Sequence, residues 1–386
     1  MHDYIFFTDD RGGIPTSTMH ITDQIALGSS GTAHRVFWIN TYTRLPTIAD
    51  CLKIFKVLTR RINKEPGTLV PGKNTAIVSA TPPQIPYFAK PARILNGFLG
   101  GRFFWHFVKK YDIQSPVLVT NFPCVADVFK NIRKNFPHIP QIYYCVDDYP
   151  EFDHLNRKHW TAMEQDLLKS VNGAVFTSRD LALKKRRAGL PDLYLPHGVD
   201  YEHFTPNSTV KIDQLESLPK PVVGFYGTID TWVDIGAIAE LAKRFPKCSF
   251  VVIGHSNVPL TIFDGVKNIH CTGRVPYSEL PQYARYFDVG LIPFVVNDLT
   301  LAVNPLKLME YFALGLPVIS TKLPDIADVP GPLYFADTHE EFGNQLARLL
   351  DNRDLQKVKA EAQDVAKQNS WSARAEELMK FIETIE

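Results

Sequence analysis

Short apolar runs alternate with longer helical patterns along this chain, and that alternation limits its fold more than any other feature. Tyr4–Thr8, Arg35–Asn40, Thr75–Ala80, Val117–Thr120, Gln141–Val146, Gly173–Ser178 and Leu193–Pro196 read as strands. The series restarts at Pro221–Tyr226, Ser249–Gly254 and Asp288–Phe294. Strands of this kind, separated by helices, predict βαβ units, an α/β class and doubly wound parallel sheets. At 386 residues the chain exceeds one typical core, which favours two domains. The polar, proline-bearing run 205–220 marks the change. The expected division is therefore residues 1–204, residues 205–369 and a last segment, 370–386. Trp371, Ala375, Leu378, Ile382 and Ile385 give that segment an amphipathic helical spacing.

The stretch Val303–Ser320 carries the densest information. Asn304 suits an N-cap, Pro305 the first helical position and Gly315 the helix end, and Pro317 opens the apolar strand Val318-Ile319-Ser320. Lys307 and Glu310, three residues apart, share one helical face. A helix N-terminus offers free N–H groups and partial positive charge, so a diphosphate is expected there, with Glu310 accepting hydrogen bonds from vicinal sugar hydroxyls. The same pattern also suits a capped surface helix bearing one Lys–Glu pair.

Ligands of parallel α/β sheets bind beyond the carboxyl ends of strands. Gly12 and Gly13 follow the first strand, where backbone can approach a ligand closely, although a plain turn is the commoner meaning of such a pair. Asn121 ends another strand on that edge. Asp147 and Asp148 end a third, and an adjacent carboxylate pair tends to raise the proton affinity of one member, as a general base requires. A helix N-cap beside a second acid is the simpler reading of the pair. Gly227-Thr228 ends the first strand of the second half, Arg274-Val275 forms a later turn, and His197 opens the connection between the halves.

Charge narrows the setting. Between Cys51 and Lys110 there are eleven basic residues and one acidic, a net +10 in a chain of overall charge +1, so the remainder carries −9. The helical pattern Cys51–Lys64 and the aromatic, basic stretch Gly97–Lys110 have the composition of segments that lie on an anionic membrane surface; packing against the sheet is the alternative. Five widely spaced cysteines without Cys-x-x-Cys suggest reduced thiols and a cytoplasmic protein. The first residues lack a signal peptide's basic start and apolar run, and no apolar run approaches the ~18 residues of a membrane span. No nucleic-acid module or metal-ligand spacing appears, so neither partner is expected.

The motif Pro-x-Lys-x-x-Glu-x-x-Ala-x-Gly-x-Pro-Val at 305–318 resembles the donor-binding helix of GT-B glycosyltransferases. Tyr-x-Cys-Val-Asp-Asp at 143–148, His197-Gly-Val-Asp200 and Ile269–Tyr283 are similar to stretches of the family-4 and teichuronic-acid-type enzymes of bacterial polysaccharide assembly. The resemblance implies two Rossmann-like domains facing a cleft, with donor in the second and acceptor in the first. It implies Glu310 on the ribose hydroxyls, Lys307, Asn304, Pro305, Gly227 and Thr228 on the diphosphate, and Arg274-Val275 on the base. Asp147 or Asp148 becomes the base toward the acceptor, near Gly12, Gly13, Asn121 and His197. The donor is expected to be a nucleoside-diphosphate sugar, UDP before GDP, used without other cofactor or metal. The acceptor is expected to be a glycan or polyprenyl-linked glycan at the inner face of the cytoplasmic membrane. Two departures stand out. Ala302 occupies the position where many retaining relatives carry a second glutamate, and the loop 227–234 lacks the usual basic residues. A sugar-nucleotide epimerase and a non-catalytic sugar-nucleotide-binding subunit are the alternatives.

Overall fold

The computed structural model describes residues 2–9, 11, 15–28, 34–41, 69–72, 75–82, 90–152, 155–205, 210–351 and 355–385. Gly12, Gly13 and the basic pattern Cys51–Lys64 lie outside the described residues. By internal contacts the chain divides into two compact units: Met1–Pro196 with Arg374–Glu386, and His197–Ala373. The division thus comes at Pro196/His197, ahead of the polar run, and again within the last helix, Trp371–Glu383.

The first unit is built on eight strands: β1 (Asp3–Thr8), β2 (Arg35–Asn40), β3 (Leu69–Gly72), β4 (Thr75–Ala80), β5 (Pro116–Thr120), β6 (Gln141–Cys145), β7 (Gly173–Phe176) and β8 (Asp192–Tyr194). Their order is β3-β4-β2-β1-β5-β6-β7-β8, parallel except for the β3–β4 pair. Every residue of β1 and β6 is buried, as both faces of a helix-covered parallel sheet require. Chain order reverses between β1 and β5, which places the switch point at Thr8-Asp9 and Thr120-Asn121.

The helix Lys90–Lys110 packs on the helix Ala126–Asn135 through glycines. A Cβ at Gly97 would lie 2.7 Å from the Asp127 carbonyl oxygen, at Gly100 2.8 Å from Val128 Cγ1, and at Gly101 2.0 Å from Asn131 Oδ1. Only glycine permits that approach, so one side of the helix is tied to its neighbour.

The second unit has six parallel strands: β9 (Val222–Tyr226), β10 (Ser249–Ile253), β11 (Ile269–Gly273), β12 (Val289–Ile292), β13 (Val318–Ser320) and β14 (Leu333–Phe335). The order β11-β10-β9-β12-β13-β14 is the doubly wound Rossmann arrangement, with its switch point between β9 and β12. A continuous core from Val199 to Ala366 fills both faces of this sheet. His197-Gly198-Val199 belongs to the unit through backbone bonds, Val199 N–H to Asn369 O at 2.9 Å and Trp371 N–H to Val199 O at 3.2 Å. A Cβ on Gly198 would meet the Trp371 backbone nitrogen at 2.8 Å, which explains the glycine.

Candidate functional site

Three neighbouring strands of the second sheet end in glycines with left-handed backbone: Gly227 after β9 (φ 132°), Gly254 after β10 (φ 150°) and Gly273 at the end of β11 (φ 72°). Gly227 N–H bonds Ile253 O at 2.9 Å and Gly254 N–H bonds Gly273 O at 2.9 Å. A Cβ on Gly254 would fall 1.9 Å from the Gly227 carbonyl oxygen. Bare backbone therefore lines the carboxyl edge of the sheet at its switch point, where a ligand can approach main chain without meeting side chains.

The helix Leu306–Ala313 brings the two charged residues to this edge. Lys307 Nζ would lie only 3.1 Å from a Cβ on Gly227, and it sits over the rings of Phe225 and Phe294 at 5.0 and 4.7 Å. Among the described residues no carboxylate comes within 4.0 Å of this ammonium. Burial pushes its pKa down to about 8, with Glu310 acting the other way. Glu310 Oε2 accepts the Tyr226 hydroxyl at 3.0 Å. Burial raises the Glu310 carboxyl to about 7, against the opposing influence of Tyr226 and Lys307. Both residues keep partial exposure while their ionisable ends are set among protein atoms. Tyr226 is itself fixed: its amide donates to the Tyr311 hydroxyl at 3.2 Å and the two rings meet edge-on at 4.7 Å. The arrangement offers a partly desolvated cation suited to phosphate and a carboxylate already aligned to accept hydroxyl protons.

The start of the helix differs from the expected one. Its N-cap is Pro305, without a side-chain cap. Asn304 is held elsewhere: its Oδ1 accepts the His197 amide at 3.1 Å and its Nδ2 donates to Asp325. Asn304 thus ties the chain entering this unit to the start of the helix Leu306–Ala313, and the first helical amides are left without a side-chain acceptor. At the far end Gly315 (φ 79°) lets Leu316 N–H reach Tyr311 O at 3.0 Å, a Schellman closure. Thr228 and Arg274 are exposed and Val275 partly so, while Ala302 is buried. His197 is 9% exposed with its ring 6.1 Å from that of Trp371.

In the first unit the adjacent carboxylates are not equivalent. Asp148 is buried and paired with Lys185 at 2.9 Å; Lys185 also meets Glu164 at 2.7 Å, and Glu164 accepts the Tyr143 hydroxyl at 2.5 Å. Asp147 makes no hydrogen bond through its carboxylate among the described residues. Burial raises it to about 6, with Lys185 lowering and Asp148 raising it. The two carboxylates thus differ in that Asp148 is ion-paired with Lys185, whereas Asp147 has no ion pair within 4.0 Å among the described residues. Lys185, Glu164 and Asp148, with Glu151, Arg157 and Lys184, line a cavity of about 480 Å³. Asn121, at the end of β5, is 5% exposed, and among the described residues its Oδ1 has no hydrogen-bond partner. Sequence reasoning missed Tyr226, Gly254 and Lys185, which reach their partners from 84, 27 and 37 residues away. Among the described residues no group of three or more His, Cys, Asp and Glu is placed to hold a metal ion.

Two parallel-sheet Rossmann-like units define the GT-B fold, and the comparisons agree. Sucrose-phosphate synthase from Thermosynechococcus elongatus superposes with TM-score 0.71 at 13% identity, over 100% of this chain and 99% of that one. HepE of Anabaena in complex with UDP gives 0.66 at 13%, over 100% of both chains. An E. coli protein titled trehalose-6-phosphate, bound with UDP-2-fluoro glucose, gives 0.68 at 11%, over 98% of both. Residues 220–352 match the family described as Glycosyl transferases group 1. A Bacillus subtilis (strain 168) protein provisionally named teichuronic acid biosynthesis glycosyltransferase TuaH is 27% identical over 208 residues, 51% of this chain. The match covers 52% of that relative, so the chain spans about half its length.

Proposed function

We propose that this protein is a glycosyltransferase that moves a sugar from a nucleoside-diphosphate sugar, UDP before GDP, to a lipid-linked or oligosaccharide acceptor in bacterial surface polysaccharide assembly. One observation carries the reading: Lys307 and Glu310 stand on one helix beside Gly227, at the switch point of a group 1 glycosyltransferase domain. The match to a teichuronic acid enzyme supports the acceptor class.

In this reading the bond between sugar C1 and the diphosphate oxygen breaks as the acceptor oxygen bonds C1. Negative charge growing on the departing diphosphate meets the Lys307 ammonium and the first amides of the helix Leu306–Ala313, which supply the positive field that the loop 227–234 lacks in side chains. Lys307 gains most from that encounter because its charge is partly desolvated and unpaired beforehand. Glu310 holds the ribose hydroxyls, with Tyr226 fixing the carboxylate. In an inverting reaction Asp147 accepts the acceptor hydroxyl's proton, for which a pKa of about 6 is well matched near neutrality. Neither residue set calls for a divalent metal. We place the protein peripherally on the inner face of the cytoplasmic membrane, where polyprenyl-linked acceptors present their glycans.

Calorimetry with UDP and GDP, followed by assay with labelled sugar nucleotides, tests the reading. Binding that is lost with Lys307→Met, together with acceptor-dependent release of nucleoside diphosphate, is the expected outcome. Turnover of the donor without any acceptor would point to an epimerase, and binding without turnover to a non-catalytic subunit.

A further inference from the structure

Among the described residues eleven large hydrophobic side chains are exposed, and four of them lie on the helix Lys90–Lys110: Ile94 (59%), Leu95 (42%), Phe98 (56%) and Trp105 (41%). At 100° per residue these four span about 100°, a little over a quarter of the helix circumference. Arg102 and Lys109 fall within the same arc and His106 just beside it, while Lys110 lies about 60° beyond it; all are exposed. The helix contains no acidic residue. Its one inward cation, Arg93, is paired with Asp127 and Asp166 at 2.7 and 2.9 Å. Arg102, Lys109 and Lys110 have no carboxylate partner within 4.0 Å among the described residues, and Lys109 Nζ lies over the Trp105 ring at 4.1 Å. Gly100 faces away from this arc, and Gly97 and Gly101 lie between Gly100 and Ile94; their close packing on the helix Ala126–Asn135 prevents the helix from turning its apolar face inward.

We propose that this outward face is the membrane-seating element of the protein: it lies parallel to an anionic bilayer, with Ile94, Leu95, Phe98 and Trp105 entering the headgroup boundary and Arg102, Lys109 and Lys110 meeting lipid phosphates. Large apolar groups exposed in a stripe and flanked only by cations suit that environment, since water penalises the first and anionic headgroups attract the second. Lysine and arginine stems extend along apolar surface while their charges reach headgroups, which a mixed face of this kind requires. No helix of the described residues is long and apolar enough to cross a membrane, so the contact is interfacial. The inference deepens the membrane placement proposed above and identifies the surface that makes it; it does not depend on the identity of the donor.

The test uses the full chain and vesicles of phosphatidylcholine with or without about a third of phosphatidylglycerol. Wild type should sediment with the anionic vesicles, shift Trp105 fluorescence to the blue and lose binding at least tenfold between roughly 0.05 and 0.5 M salt. The double variant Ile94→Ser, Phe98→Ser removes exposed groups only, so its fold is retained; it should bind vesicles about thirtyfold more weakly. Arg102→Gln, Lys109→Gln should reduce binding to anionic vesicles and leave the weak binding to neutral ones unchanged. Affinity for UDP or GDP serves as the internal control and stays at the wild-type value in every variant, which separates failure here from failure of the donor reading. Equal vesicle binding by wild type and the serine variant overturns the proposal, as does a wild type indifferent to anionic vesicles. A concentration-dependent dimer abolished by Phe98→Ser would overturn it too, by assigning the face to a second copy of the chain.

Discussion

Replacing Glu310 by glutamine separates a ligand-binding carboxylate from a structural one. Its carboxyl is raised from an ordinary 4.5 to about 7 by burial, so the folded state favours the protonated form. The sign follows directly. The stability associated with this group is complete below about pH 4.5 and is lost as pH rises through about 7. At pH 8 the ionised group therefore costs the fold up to about 3 kcal/mol, since a tenfold change in proton affinity is worth about 1.4 kcal/mol. That cost already includes the attraction to Lys307, and the partial exposure of the group reduces it, leaving Glu310→Gln more stable than wild type by roughly 1–2 kcal/mol at pH 8 and equal to it near pH 4. Thermal midpoints should rise by roughly 3–6 °C at the higher pH only. Binding should move the other way. Two hydroxyl hydrogen bonds to a charged acceptor contribute about 1.5–3 kcal/mol each, so nucleoside diphosphate affinity should fall about a hundredfold even after glutamine restores part of one. Wild-type affinity should itself peak between about pH 7, where Glu310 ionises, and about pH 8, above which free Lys307 loses its proton. Calorimetry and thermal denaturation from pH 4 to 9 read all of this. A variant that binds as tightly as wild type, or one that is less stable at pH 8, refutes the assignment of Glu310 to the ligand.

Asp147→Asn should lower turnover by roughly 10²–10⁴-fold with nucleoside diphosphate affinity within twofold of wild type, and wild-type turnover should decline below about pH 6 as Asp147 takes up a proton. Gly254→Ala would force the Gly227 carbonyl to move, because the new Cβ would lie 1.9 Å from it; we expect a loss of about 2–4 kcal/mol in chemical denaturation and weakened donor binding. Activity should survive a chelator at millimolar concentration unchanged, and a loss reversed by magnesium or manganese would contradict the metal-independent reading.

Much of this architecture is legible in the sequence because its signals are local. Apolar runs separated by helical patterns lead to parallel sheets, and Lys307 and Glu310 share a face by spacing alone. The strands β3 and β14, of four and three residues, are not among the apolar runs read as strands, and β3 carries Pro71 and Gly72, which read as a turn. Side-chain assignments fail where distant partners decide them. Asn304 looks like an N-cap until His197 and Asp325, 107 and 21 residues away, claim its amide. Asp147 and Asp148 look alike until Lys185 pairs with one of them. Likewise, nothing near Glu310 in sequence announces Tyr226. The glycines after β9, β10 and β11 are visible as letters, but the contact between Gly254 and Gly227 exists only once the sheet is formed.

Acceptor-dependent release of nucleoside diphosphate tests the central claim most directly. Purified protein is incubated with UDP- and GDP-sugars, with and without polyprenyl-linked or oligosaccharide glycans, and free nucleoside diphosphate and glycan mass are followed together. The account predicts that one donor is consumed only when acceptor is present, that the glycan gains one sugar residue per diphosphate released, and that Lys307→Met abolishes both. Donor conversion independent of acceptor, or full turnover by the Lys307→Met variant, would contradict it.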